Sequence, residues 1–91
     1  MANVLITLRV MPESIDIDLN DLENKVKDKI KSFGGEFIKT EIELIAFGLK
    51  ALKIIFISDE QKSNIDPLEE DVRSIEGVQS ADVVDVRRAL G

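Results

Sequence analysis

Cysteine, histidine, tryptophan and tyrosine are all absent from the 91 residues. Without cysteine there is no disulfide, zinc knuckle, iron–sulfur cluster or thiol nucleophile. Without histidine the commonest general base and the commonest metal ligand are missing. Phe33, Phe37, Phe47 and Phe56 are the only aromatics, too few for the stacking platforms that hold single strands or RNA bases. No apolar run reaches the roughly 18 residues of a membrane span, and the first residues lack the basic-then-apolar build of a signal peptide. Positive charge is short as well: 12 Lys and Arg face 18 Asp and Glu, a net charge of −6. Nucleic acid and anionic membranes both demand a basic footprint, so neither is an expected partner. Together these gaps lean away from catalysis and cofactors, toward a binding or regulatory module of the cytoplasm.

What is present is a foldable chain. Apolar residues make up 44% and charged residues 33%, the balance of a globular protein, and the length allows a single domain over residues 1–91. So short a chain buries only about 60–65% of its unfolded surface, so its core has to be economical.

The periodicity alternates between two values. From Asn3 to Met11, Val4, Ile6, Leu8 and Val10 alternate with Leu5, Thr7, Arg9 and Met11, a strand pattern that Pro12 closes. Leu19, Leu22, Val26, Ile30 and Phe33 then recur at helical spacing, with Asp18 as N-cap and Gly34-Gly35 as terminator. Glu36 to Ala46 returns to alternation, with Ile38, Thr40, Ile42 and Leu44 on one side. Ala51 to Ser58 is another strand, joined to it by the short Phe47-Gly48-Leu49-Lys50 stretch as a hairpin. Asp66-Pro67-Leu68-Glu69 reads as a helix start with Asp66 as cap, and Leu68, Val72 and Ile75 as its apolar stripe. Gly77 is expected just past that helix. Val78 to Val86 forms the last strand, with Val78, Ser80, Asp82, Val84 and Val86 facing one way, and Arg87-Arg88-Ala89-Leu90-Gly91 trails it.

The order strand–helix–strand–strand–helix–strand predicts an α+β, ferredoxin-like sandwich. Its four-stranded antiparallel sheet has order 4-1-3-2, with both helices on one face. Strands 1 and 3 are expected to run parallel in the centre, opposite to strands 2 and 4. On that reading the 47–50 loop and the end of the last strand share one end of the sheet. Phe47 and Arg87-Arg88 then lie within roughly 10–15 Å of each other.

Most polar constellations have ordinary explanations. Asp16, Asp18 and Asn20 imitate the first positions of a calcium loop, but Asp21 stands where glycine is needed and Lys27 where the bidentate Glu belongs. Gly34-Gly35 follows a helix instead of preceding one, so it is no phosphate cradle. Glu41/Glu43 and Glu69/Glu70 are expected on solvated faces. Phe47 is open to two readings, a ring folded back over the sheet or a wedge presented at a hairpin tip beside Gly48 and Lys50. Arg87-Arg88 is likewise either a solubilising tail or a cationic contact.

Three stretches carry a likeness. Ala46-Phe47-Gly48-Leu49-Lys50-Ala51-Leu52-Lys53-Ile54, Leu68-Glu69-Glu70 and Val78-Gln79-Ser80-Ala81-Asp82-Val83 resemble the translation elongation factor 1-beta family of archaea and eukaryotes. Met11-Pro12-Glu13-Ser14, Asp18-Leu19 and Leu22-Glu23 resemble its archaeal branch, and the likeness extends over essentially the whole chain. It implies a non-enzymatic guanine-nucleotide exchange factor, monomeric when free, that acts on the GDP-bound and nucleotide-free elongation factor 1-alpha GTPase. It implies further that Phe47 enters a pocket on the GTPase, with Gly48 and Lys50 flanking it in the partner-binding hairpin. A family lysine that reaches the magnesium and phosphate region falls on Arg88 here, with Arg87 beside it. The alternative is a small-metabolite-binding regulatory module of the same fold.

Overall fold

The computed structural model describes residues 3–59 and 65–89. The elements are β1 (Asn3–Pro12), α1 (Leu19–Phe33), β2 (Glu36–Leu44), β3 (Lys50–Asp59), α2 (Asp66–Arg73) and β4 (Val78–Ala89). The sheet order is β2-β3-β1-β4, the expected 4-1-3-2 viewed from its other edge.

Local chemistry explains the first helix. The Asp18 carboxylate accepts from the backbone N–H groups of Asn20 (3.0 Å) and Asp21 (3.3 Å), satisfying two of the donors a helix start leaves open. At the other end Gly34 takes φ 101° and donates to the Ile30 and Lys31 carbonyls. Gly35 is fixed by packing, because a Cβ there would meet Phe56 Cδ2 at 2.9 Å and Ile30 Cγ2 at 3.0 Å. Between these ends Leu22, Val26 and Ile30 bury one stripe.

That stripe meets one face of the sheet. Ile6, Leu8 and Val10 of β1 stand opposite Phe56, Ile54 and Leu52 of β3, and all six are buried under α1 and the Leu68, Val72 and Ile75 face near α2. Each such side chain contributes about 1.5–3 kcal/mol on leaving water, which holds both helices against this face.

Several boundaries differ from the sequence reading. Asp66 is already helical and Ile65 caps α2 without a side-chain bond. The helix ends at Arg73 with Ser74 as C-cap, so Gly77 (φ 98°) serves the separate turn into β4. β2 stops at Leu44, while β4 runs on to Ala89, making Arg87 and Arg88 strand residues instead of a tail.

Facing also differs, because three residues are extra in their ladders. Phe37 pairs with Phe56 but Lys39 with Ile55, leaving Ile38 over. Val83 pairs with Leu8 but Asp85 with Thr7, leaving Val84 over, and Gln79 is extra in the same way between Val78 and Ser80. Each bulge inverts the alternation beyond it. Hence Ala81 joins Val78 as a buried residue of β4, and Ile38 and Val84 both line the open face beside Leu5, Thr7 and Ile55.

The largest correction concerns direction. β1 and β3 pair antiparallel, with Asn3 opposite Asp59 and Val10 opposite Leu52, and β4 is antiparallel to β1, with Asn3 opposite Ala89. A strand–helix–strand unit returns its second strand parallel to its first, so it is β1 and β2 that agree in direction, and the hairpin then reverses β3. The 45–49 hairpin therefore lies by Pro12 and the two arginines by Asn3, at opposite ends of the sheet.

Candidate functional site

The hairpin is tight. Ile45 N–H donates to the Leu49 carbonyl and Leu49 N–H to the Ala46 carbonyl, both at 2.9 Å. Phe47 and Gly48, the central residues, have φ 54° and 82°. Two positive φ values make the mirror-image turn whose twist suits a two-residue hairpin loop, a site that prefers Asn-Gly. Gly48 fits it without strain. Among the described residues Phe47 is the one non-glycine residue with positive φ, at a cost of about 1–2 kcal/mol.

Among the described residues no packing of the ring offsets that cost. The Phe47 ring is 98% exposed, whereas Phe56 is fully buried and Phe33 and Phe37 pack against the core. Lys27 even covers Phe37, its Nζ 4.4 Å from the ring centroid. A ring folded back on the sheet is thus excluded. Leu44 (75%) and Ile15 (65%) are exposed at the same end, and Ile15 shares a small hollow with Gly48 and Lys50. Lys50 is an exposed first residue of β3 opposite Leu44. Sequence reasoning missed Ile15 and Leu44 because neither belongs to a motif; an apolar residue inside the polar 13–18 loop was the available signal.

The far end carries the two arginines, with Glu36, Asp59 and Asp85 at the same end of the sheet. Arg87 stands opposite Leu5 and Arg88 opposite Val4, so as strand neighbours they point to opposite faces. Arg87 lines the open face and pairs with Asp85 at 2.9 Å, its side chain 75% exposed. An ion pair so exposed is worth little and is readily exchanged for another anion. Arg88 takes the helix-bearing face, is exposed, and has a partner within the molecule.

These two groups are not brought together. Arg87 is level with Ile57, near the end of β3 remote from the hairpin. At about 3.3 Å per residue, that places it roughly 23 Å from the start of β3, with Phe47 farther out. The expected juxtaposition within 10–15 Å is overturned.

Several carboxylates have identifiable surroundings. Glu13, Asp16, Asp18, Asp21 and Glu76 gather around one open hollow at the hairpin end, but among the described residues no group is placed to hold a metal ion. Glu43 pairs with Arg9 (3.2 Å) and Glu41 with Lys39 (3.3 Å). Glu69 accepts from the Val83 backbone N–H at 3.1 Å. No helix among the described residues is long and apolar enough to cross a membrane.

Comparison with known proteins agrees with the hairpin-centred likeness. The family described as the EF-1 guanine nucleotide exchange domain matches residues 5–89. Elongation factor 1-beta of Staphylothermus marinus is 44% identical over 89 residues, covering 97% of this chain and 98% of that protein. Its counterpart in Methanothermobacter thermautotrophicus is 39% identical over 90 residues, covering 99% of this chain and all of the relative. Among solved structures, the ACT domain from the GTP pyrophosphokinase of Chlorobium tepidum superposes with a TM-score of 0.58 at 18% identity, over 90% of this chain and 99% of that one. At that identity the likeness concerns the fold alone. With the family profile spanning nearly every described residue and relatives matching end to end, the chain belongs to the EF-1 guanine nucleotide exchange domain family, whose members are exchange factors and not enzymes.

Proposed function

We propose that this protein accelerates release of GDP from the elongation factor 1-alpha GTPase of the translation machinery in the cytoplasm, allowing GTP to replace it. The observation that carries this reading is Phe47, a large apolar ring held in a strained backbone conformation and fully presented to solvent. Strain that no internal contact offsets points to a contact with another molecule. The family membership and the family's name supply the kind of partner.

The mechanism requires no proton transfer, nucleophile or cofactor. A protein that prefers the nucleotide-free GTPase weakens nucleotide binding by the same factor by which nucleotide weakens its own binding. The separation of the two ends gives this a definite form. Phe47, flanked by Gly48 and Lys50, anchors in an apolar pocket on one part of the GTPase. Arg87 and Arg88 approach the magnesium and phosphate region on another part, where a guanidinium competes electrostatically with the metal and offers planar donors to phosphate oxygens. With Phe47 and the arginines at opposite ends of the sheet, the contact is a bridge between two places.

The test is release of fluorescent GDP from the loaded GTPase in excess unlabelled nucleotide. Stoichiometric amounts of this protein are expected to accelerate it well above the spontaneous rate. An unchanged rate would overturn the proposal.

A further inference from the structure

The facing of Arg87 and Arg88 depends on the bulge at Val84. Were the ladder unbroken beyond the Leu8–Val83 pair, Val84 would stand opposite Thr7, Arg87 opposite Val4 and Arg88 opposite Asn3. Each arginine would then occupy the face the other holds now. Instead Val84 is left over, Asp85 takes Thr7, and Arg87 and Arg88 take Leu5 and Val4.

The segment just before this bulge is tied to α2. Glu69 Oε2 accepts from the Val83 N–H at 3.1 Å, with its side chain only 15% exposed. One helical turn on, Arg73 Nε donates to the Ala81 carbonyl at 3.1 Å, and its guanidinium contacts Asp82 Oδ1 at 3.3 Å and Glu69 Oε2 at 3.7 Å. β4 is an edge strand, so a neighbouring strand is absent on its outer side and these side chains supply donors and acceptors there. Ala81, fully buried, fixes the same segment from the core side. The register of the first half of β4 is therefore set by α2 and the core, while beyond Val84 it is set by pairing with β1.

We propose that Glu69 is a positioning residue: with Arg73 it pins the first half of β4 so that Val84 is expelled, and this fixes which face each arginine presents to the partner. The pinning follows from contacts within the chain, while its consequence for exchange rests on the proposed role of the basic end. A hydrogen bond from a backbone N–H to a largely buried carboxylate is among the stronger links available to a strand edge, and its loss frees Val83 to slip.

The experiment compares full-length variants by GDP release and by backbone amide hydrogen exchange. In Glu69→Ala the Val83 amide is expected to lose its protection and GDP release to slow by about tenfold or more, since small misplacements of a contacting group cost that much. Glu69→Gln retains an acceptor oxygen and is expected to restore most of the rate. Deleting Val84 in the Glu69→Ala chain is expected to restore it too. An unbulged ladder then sets Arg87 opposite Leu5 and Arg88 opposite Val4 without help from α2. A general loss of stability would not be cured by removing a residue.

Wild-type exchange by Glu69→Ala, or a loss that Val84 deletion fails to restore, would overturn the proposal. Should Glu69→Ala not fold, deletion of Val84 in the native chain serves instead. It must keep near-wild-type exchange, and a folded deletion variant that loses exchange contradicts the inference. Failure of the basic-end role is separately visible: Arg87→Ala and Arg88→Ala would then both exchange normally, whatever happens at the Val83 amide.

Discussion

The two ends of the sheet are built on different principles. At the hairpin end, one apolar ring is forced outward by a turn that disfavours it, and carboxylates surround the adjacent hollow. At the β4 end, two guanidinium groups extend from the stretch of strand beyond the Val84 bulge, one toward each face. The first end offers shape and buried area to a partner, and its contribution is largely indifferent to salt. The second offers charge, which is screened beyond about 10 Å at moderate ionic strength. In a molecule of net charge −6, the exposed ring and the two arginines stand at opposite ends of the sheet.

The comparison of aromatics can be broken most severely at Phe56. Phe56→Ala empties the core beneath Gly35 and is expected to cost about 3–5 kcal/mol, read as a lowered denaturant midpoint. Phe47→Ala is expected to leave that midpoint nearly unchanged while weakening binding to the nucleotide-free GTPase by roughly 30-fold or more, the scale of an interface hot spot. Phe47→Asn sharpens the contrast, because Asn tolerates the left-handed turn. Stability is expected to rise by about 1 kcal/mol while exchange falls. A Phe47 variant that lost stability in proportion to function would make the ring structural after all.

Smaller effects separate the arginines. Replacing the cation that meets the magnesium and phosphate region should slow release at saturating protein by about tenfold, the scale of one lost charged hydrogen bond. The Arg→Lys variant at the same position should recover part of that loss, and added salt should reduce the wild-type advantage. Equal and salt-independent effects from Arg87→Ala and Arg88→Ala would argue against a directed contact. Asp18→Ala is the mildest change. Loss of the α1 cap should cost about 1 kcal/mol of stability with exchange per folded molecule retained.

Much of this architecture was legible in the residues, and the exceptions have physical causes. Asp18 and Gly34 announced α1 because capping and left-handed termination are local chemistry. The core stripes of β1 and β3 kept strict alternation and were read correctly. Ile38 and Val84 escaped because a bulge leaves no mark in composition, yet inverts every facing assignment beyond it. That is why Ser80, Asp82 and Val84, expected on the face of Val78, stand on the other side with Ala81 buried in their place, while the second bulge returns Val86 to the face of Val78. The capping-box pattern at Asp66 misplaced the α2 start by one residue, as Asp66 itself joined the helix. The misjudged strand direction was of another kind. It lay in the topology and not in the residues, and it put Phe47 beside arginines that belong to the other end.

The most direct test of a two-ended bridge is a double-mutant cycle on GDP release, combining Phe47→Ala with Arg87→Ala and with Arg88→Ala. Contacts more than about 20 Å apart on separate parts of the GTPase should lose free energy additively, within about 0.5 kcal/mol. Phe47→Ala should act mainly on the concentration needed for half-maximal acceleration, and the arginine variant mainly on the limiting rate. A coupling well above 1 kcal/mol, with both changes acting on the same kinetic constant, would contradict separate contacts and restore a single compact wedge.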